Sequence, residues 1–260
     1  MRVRFAGLTD VGRTRDNNED AFFLSDDEPM CFVADGMGGH SSGELASALA
    51  LEAIRVHYRN TRDADGATTS VVWPERRKPP GHEQERRIVE ALLLANEVVF
   101  QEANVSEERA GMGTTLVGGY FLESGVYVAH IGDSRAYRLR GGNLERITRD
   151  HSLADEYLRM GLLRELEVGS FPYRNVITRA VGLRDLVEPE VNFLTHQPGD
   201  LFLFCSDGLT DPLEDREIEY LMRHAPPQIE ALAQILIDAA NESGGPDNIT
   251  AILAEVVADH

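Results

Sequence analysis

Met30-Cys-Phe-Val-Ala-Asp35-Gly36 is a short apolar run that closes on a carboxylate and a glycine. A run of this kind, bounded by turn residues, reads as a buried strand. The same grammar recurs along the chain. Leu201-Phe-Leu-Phe-Cys-Ser ends in Asp207-Gly208, Val126-Tyr-Val-Ala-His-Ile-Gly ends in Asp133-Ser134, and Pro246-Asp247-Asn248 opens the last apolar run. Each places a carboxylate at the tip of a buried strand, and glycine there lets backbone or ligand approach closely. A single Asp-Gly is ordinary turn chemistry. Four carboxylate tips abutting strongly apolar strands are poorly explained by turns alone.

Working outward, apolar or alternating runs predict strands near 3–8, 21–24, 30–35, 114–121, 126–131, 135–140, 201–206 and 249–257. Helices are predicted after Ser41, over 83–103 and near 227–240. The first carries a Ser41/Glu44 capping box and the last ends at Gly244-Gly245. Strands grouped towards both ends, with paired helices between them, indicate an α+β fold with sheets packed inside helices. Residues 60–82 are rich in charge, Pro, Gly and Thr and read as an inserted loop. Residues 150–174 carry a short helical pattern and read as a flap.

The 260 residues suit one large domain. Net charge is −19, from 44 acidic against 25 basic residues, which repels a phosphate backbone and argues against a nucleic-acid partner. Cys31 and Cys205 lie inside apolar runs and read as buried thiols, with neither a disulfide framework nor a CxxC motif. No signal-peptide pattern opens the chain and no apolar run is long enough to span a bilayer. The expectation is a cytoplasmic protein with no membrane partner.

Carboxylates that converge repel one another unless a cation lies between them. Without a Cys/His cluster at zinc spacing, all-oxygen ligation points to Mg²⁺ or Mn²⁺. Two such ions about 4 Å apart can activate a shared water for attack on phosphorus and neutralise the transferring group. A phosphate dianion also needs an arginine clamp. Gly12-Arg-Thr-Arg15-Asp-Asn-Asn18-Glu19-Asp20 offers one just before a strand.

At this point the chain resembles the metal-dependent protein phosphatases of the type 2C family in their bacterial form. Arg15, four residues before the pair Glu19-Asp20, matches the first family signature. Phe32-Val-Ala-Asp35-Gly36-Met-Gly-Gly39-His40 with Gly43-Glu44 matches the second. Gly111-Met-Gly-Thr-Thr115, His130-Ile-Gly-Asp133-Ser-Arg-Ala-Tyr137, Asn175-Val-Ile-Thr-Arg-Ala-Val-Gly182, Ser206-Asp207-Gly208-Leu-Thr-Asp211 and Gly245-Pro-Asp247-Asn248-Ile-Thr250 follow in family order. The resemblance implies a four-layer α-β-β-α sandwich of two antiparallel sheets flanked by helices, with 1–260 as one catalytic domain. It implies a protein serine/threonine phosphatase in which a metal-bridging hydroxide attacks the phosphoryl group.

Its implied roles are specific. Asp35 bridges two metals, with the Gly36 carbonyl on the first and Asp207 and Asp247 on the second. Asp133 with Asp207 forms a third, weaker site, Glu19 and Asp20 hold metal-bound waters, and Arg15 binds the substrate phosphate. Met37 stands where some members carry a histidine proposed as the general acid. The nearest imidazole is His40, read either as that acid or as a structural residue at a loop-to-helix junction. Phe171-Pro172 stands where relatives often carry His-Pro. The implied partners are phosphorylated proteins, including a serine/threonine kinase or its substrates.

Two rival readings remain at this stage. One is a catalytically weak, regulatory phosphoprotein-binding domain, although every nameable metal ligand is retained. The other is a serine hydrolase built on Gly39-His-Ser41-Ser-Gly43, a formal match to the nucleophile elbow. That elbow sets its serine directly after the strand, whereas here a glycine-rich segment intervenes and the serines suit helix capping.

Overall fold

Side chains of the strand β3 (Met30–Met37) feed two different cores in alternation. Phe32 and Ala34 join one cluster with Ile54 and Leu92, whereas Cys31 and Val33 join another with Phe202, Phe204 and Ile252. A strand buried on both faces needs an apolar side chain at every position, which is why its run is continuous rather than alternating. The computed structural model describes residues 2–38, 42–62, 74, 82–224, 226 and 228–258.

In chain order the elements are β1 (Arg2–Asp10), β2 (Asp20–Leu24), β3, α1 (Ser42–Thr61), α2 (Glu83–Ala103), β4 (Gly113–Thr114), β5 (Leu116–Leu122), β6 (Gly125–Ile131), β7 (Arg135–Arg140), β8 (Asn143–Arg146), α3 (Leu153–Arg159), β9 (Glu190–Leu194), β10 (Leu201–Cys205), α4 (Asp207–Thr210), α5 (Asp215–His224), α6 (Ile229–Glu242) and β11 (Ile249–Val257). One sheet has the order β1-β11-β10-β7-β8; the other runs β2-β3-β5-β6-β9, with β4 also on β3. All pairings are antiparallel.

Three apolar layers hold these elements together. Between the sheets lie Val33, Val117, Phe121 and Val128 against Phe202, Phe204, Ile252 and Ala254. Outside the second sheet, α1 and α2 cover Phe32, Leu116 and Ile131; outside the first, α5 and α6 cover Leu203, Cys205 and Leu253. The expected four-layer α-β-β-α arrangement is what the chain forms. Phe204, wholly buried in the middle layer, is a side chain whose truncation to alanine costs about 3–5 kcal/mol.

The predicted strands and helices all form, with shifts of a few residues at their ends. The stop after α6 is made by Gly244 and Gly245, whose amides bond Asn241 O and Ala240 O with positive φ at both glycines. Ser41, the expected cap, lies outside the described residues, as does most of the 60–82 loop. Both cysteines are buried and free. Among the described residues no helix is long and apolar enough to cross a membrane.

Antiparallel pairing sets where the site lies. Asp207 follows β10 and Asp247 precedes β11, its antiparallel neighbour, so both stand at one end of the sheet. In the second sheet Asp20 opens β2 opposite Asp35 on β3. Asp133 follows the end of β6 that pairs with Leu116. One edge of the sandwich therefore collects all five aspartates.

Candidate active site

Asp20 and Asp35 face each other directly across two strands, a placement of like charges that ordinarily destabilises a sheet. Asp20 is buried, and its Oδ2 accepts from Ser206 Oγ and Thr250 Oγ1, each at 2.7 Å. These bonds tie β2 of one sheet to the β10 end and β11 of the other. Thr250 spends its proton on Asp20, so Thr9 Oγ1, 2.7 Å away, donates to Thr250 and accepts from Asn18 Nδ2.

Asp35 is fixed through its backbone. Its carbonyl accepts from Thr115 N and Thr114 Oγ1, both at 2.8 Å, and its amide donates to Thr115 Oγ1 at 3.2 Å. Thr115 Oγ1 in turn meets Ser134 Oγ at 2.6 Å, next to Asp133. Gly36 is buried beneath the start of α1, and a Cβ there would stand 2.1 Å from Gly43 O. No larger residue fits.

The electrostatics of this edge are those of excess negative charge. Burial, then the charges of Asp20, Asp207 and Asp133, raise the Asp35 carboxyl well above the usual range. Burial also pushes Asp20 up to about 7, Asp133 up to about 8 and Asp207 up to about 6, with neighbouring aspartates adding to each. Glu19 is raised by burial as well. Asp133 Oδ1 and Glu19 Oε1 are buried with no hydrogen-bond partner among the described residues. Orphaned carboxylate oxygens of this kind call for an explanation.

Basic groups near the cluster are few. Arg15 donates from Nη2 to Asp247 Oδ2 at 2.7 Å and is otherwise exposed. Arg135 is held by Asp150, with Nη2 to Oδ2 at 2.8 Å and Nε to Oδ1 at 3.1 Å. The loop that carries Arg15 is laced down by Asn248. Its Oδ1 accepts from Glu19 N at 2.7 Å, and its Nδ2 donates to Val11 O at 3.0 Å and Asn17 O at 2.9 Å.

The edge thus brings together the sequence-predicted Arg15, Glu19, Asp20, Gly36, Asp35, Asp133, Asp207 and Asp247. His40 lies outside the described residues. Sequence reasoning did not single out the hydroxyls of Ser206 and Thr250 or the amide of Asn248. Ser206 and Asn248 each lie beside an aspartate in a quoted motif and Thr250 three residues from one, but spacing gives no sign of their distant partners. It also passed over Asp211, raised by burial and countered by Arg174 of the flap. In the flap itself Phe171 packs between Tyr157 and Tyr173, at 5.4 and 5.8 Å between ring centroids. An all-oxygen, strongly acidic donor set with orphaned oxygens fits hard divalent cations such as Mg²⁺ or Mn²⁺.

Comparison with known proteins gives consistent findings. A family model described as protein phosphatase 2C matches residues 12–254. The serine/threonine phosphatase stp of Listeria welshimeri is 35% identical over 250 residues, covering 95% of this chain and 93% of that protein. The serine/threonine protein phosphatase PstP of Mycobacterium tuberculosis is 33% identical over 255 residues, 98% of this chain but 45% of PstP. A solved structure of the PstP catalytic domain in complex with 2 manganese ions superposes with a TM-score of 0.82 at 32% identity, covering 98% of this chain and 99% of that one.

Proposed function

The chain belongs to the protein phosphatase 2C family and is a metal-dependent serine/threonine phosphatase, and from that premise we propose which residues do the work and on which substrates. Asp35 and the Gly36 carbonyl would hold one divalent cation, and Asp35, Asp207 and Asp247 a second. Asp133 with Asp207 would hold a third more weakly, and Glu19 and Asp20 would complete the set through water. Bound Mn²⁺ or Mg²⁺ supplies positive charge to the phosphoryl oxygens and a water acidic enough to attack phosphorus at neutral pH.

The chain's own groups do the rest. Arg15 offers a planar fork to two phosphoryl oxygens, exchanging its contact with Asp247 for one with the substrate. Asn248 fixes the loop that aims this arginine. Asp20 and Asp35 hold their places through hydroxyl and backbone bonds, so little reorganisation is needed when substrate arrives. His40, outside the described residues, is proposed from its place in the sequence motif alone as the acid that protonates the leaving serine or threonine oxygen.

The observation that carries this reading is the convergence of Asp20, Asp35, Asp133, Asp207 and Asp247 at one sandwich edge, where burial and then like charge raise the carboxyls of the first four. Residues 1–260 act as one catalytic unit, with an insertion over 60–82 and a flap over 150–174. The substrates are phosphoserine and phosphothreonine proteins of the cytoplasm, including a serine/threonine kinase or its targets, and neither nucleic acid nor membrane. A net charge of −19 supports the exclusion of nucleic acid.

The test is phosphate release from a phosphothreonine peptide by metal-stripped protein, before and after Mn²⁺. Release that appears with Mn²⁺ and vanishes with chelator is the expected result. Folded protein that releases nothing with either metal would leave a regulatory phosphoprotein-binding domain as the better account.

A further inference from the structure

Next to Asp133, outside the aspartate cluster, two histidines stack with ring centroids 4.5 Å apart and planes 18° from parallel. His130 lies one residue before the end of β6 and His151 follows β8; Glu190, the partner of His130 in the β6–β9 ladder, completes the group. His130 Nε2 lies 2.7 Å from Arg149 O. A carbonyl can only accept, so that nitrogen carries the proton. His151 binds one residue twice: its amide donates to Gly132 O at 2.9 Å, and its ring Nδ1 accepts from Gly132 N at 3.0 Å. Acceptance at Nδ1 puts the proton of the neutral ring on Nε2, facing Glu190 Oε2 at 3.5 Å.

We propose that His151 is a positioning residue for Asp133: its ring holds the Gly132 amide, and with it the turn that presents the carboxylate, while Glu190 orients the ring. Three further observations support the assignment. Gly132 has φ of +108°, and a Cβ there would stand 2.7 Å from Thr115 Cβ. Glycine is free to adopt this shape and many others, and His151 fixes it by bonding both the amide and the carbonyl of Gly132. The neighbours of His151 grip the same turn, with Thr148 Oγ1 accepting from Ala136 N at 2.9 Å and Asp150 holding Arg135. The hydrogen bond from His151 also keeps Glu190 ionised, down to about 2, although that side chain is partly exposed.

A cation among these groups is the competing reading, because their ligand atoms all lie within 4.8 Å of one another. Two features oppose it. The Gly132 amide occupies His151 Nδ1 and so leaves the proton on Nε2. In addition, Arg179 Nη1 stands 3.2 Å from that nitrogen, bringing a positive charge to the spot a cation would fill. A ligand-bearing turn held by a histidine that is itself oriented by a carboxylate has the logic of outer-shell support around metal sites.

That Asp133 holds a cation rests on the function proposed above, so the test has one arm that needs no metal. His151→Leu removes the acceptor, whereas His151→Asn keeps one, since Asn Oδ1 stands close to where Nδ1 stood. Full-length wild type and both variants are compared by residue-resolved amide exchange at Gly132 without metal, and by Mn²⁺ titration calorimetry. In His151→Leu the Gly132 amide exchanges faster, and the weakest Mn²⁺ event loses about 10-fold in affinity while the tighter ones hold. His151→Asn restores both. Unchanged exchange in His151→Leu would overturn the proposal, as would a His151→Asn protein as impaired as His151→Leu. Wild type that takes up no Mn²⁺ would instead sink the metal roles, and exchange at Gly132 alone would then decide the brace.

Discussion

The two ends of strand β10 treat a buried aspartate in opposite ways. At its entry Asp200 is wholly buried, yet its carboxylate accepts from Arg140 Nε at 2.7 Å, Arg140 Nη2 at 2.5 Å and Gln197 N at 2.9 Å. At its exit Asp207 joins Asp20, Asp35, Asp133 and Asp247, with one exposed arginine touching the group and Arg135 committed to Asp150. The same residue type is structural where the chain supplies its counter-charge and functional where it does not. Burial of a carboxylate without a partner is too costly to persist for packing alone. The leftover charge at the exit is a demand on something outside the chain.

Neutralising one residue at each end tests that contrast. Asp207→Asn is expected to lower kcat by about 10³-fold, as loss of a charge-stabilising group does, while the metal-free protein melts no lower than wild type. A clear loss of metal-free stability would break the comparison, because Asp207 would then be structural too. Asp200→Asn is expected to leave kcat within about twofold and to destabilise by about 2–3 kcal/mol, read from urea unfolding, since Arg140 loses a charged partner.

Smaller effects sharpen it. Arg15→Ala should raise KM for a phosphopeptide about tenfold, the worth of one charge-assisted contact. Stability should move by less than about 0.5 kcal/mol, because the pair with Asp247 is exposed. A stability loss with unchanged KM would return Arg15 to a surface ion pair. The last effect concerns pH. Asp20, Asp133 and Asp207 have folded-state pKa values pushed up to about 7, 8 and 6, so the folded state binds more protons than the unfolded chain. Metal-free stability therefore falls as pH rises from about 4 to about 8, read as a falling melting temperature. Saturating Mn²⁺ should flatten the slope.

How much of this was legible in the sequence depended on burial. Strands buried on both faces, such as β3 and β10, announced themselves as continuous apolar runs. Short or sparsely buried elements did not. Strand β8 is Asn-Leu-Glu-Arg with two exposed positions, and its clue was the Gly141-Gly142 turn, both glycines at positive φ. Strand β9 is nowhere fully buried, and α5 buries only Ile218 and Met222 in a charged segment. The aspartates were legible because a carboxylate at the tip of an apolar run is conspicuous. Their supports were not. Ser206, Thr250, Asn248 and His151 act through bonds to residues far away in the chain, and spacing carries no sign of such partners.

One pairing described above has a temporal side. Strand β1 lies along β11 from Arg2 opposite Val257 to Asp10 opposite Ile249. Asp20 is held by a hydroxyl from that same final strand. On the ribosome β1 emerges without its neighbour and waits until β11 has been translated. Contacts this distant in sequence form late. The nascent chain thus cannot assemble the site until β11 is free of the ribosome.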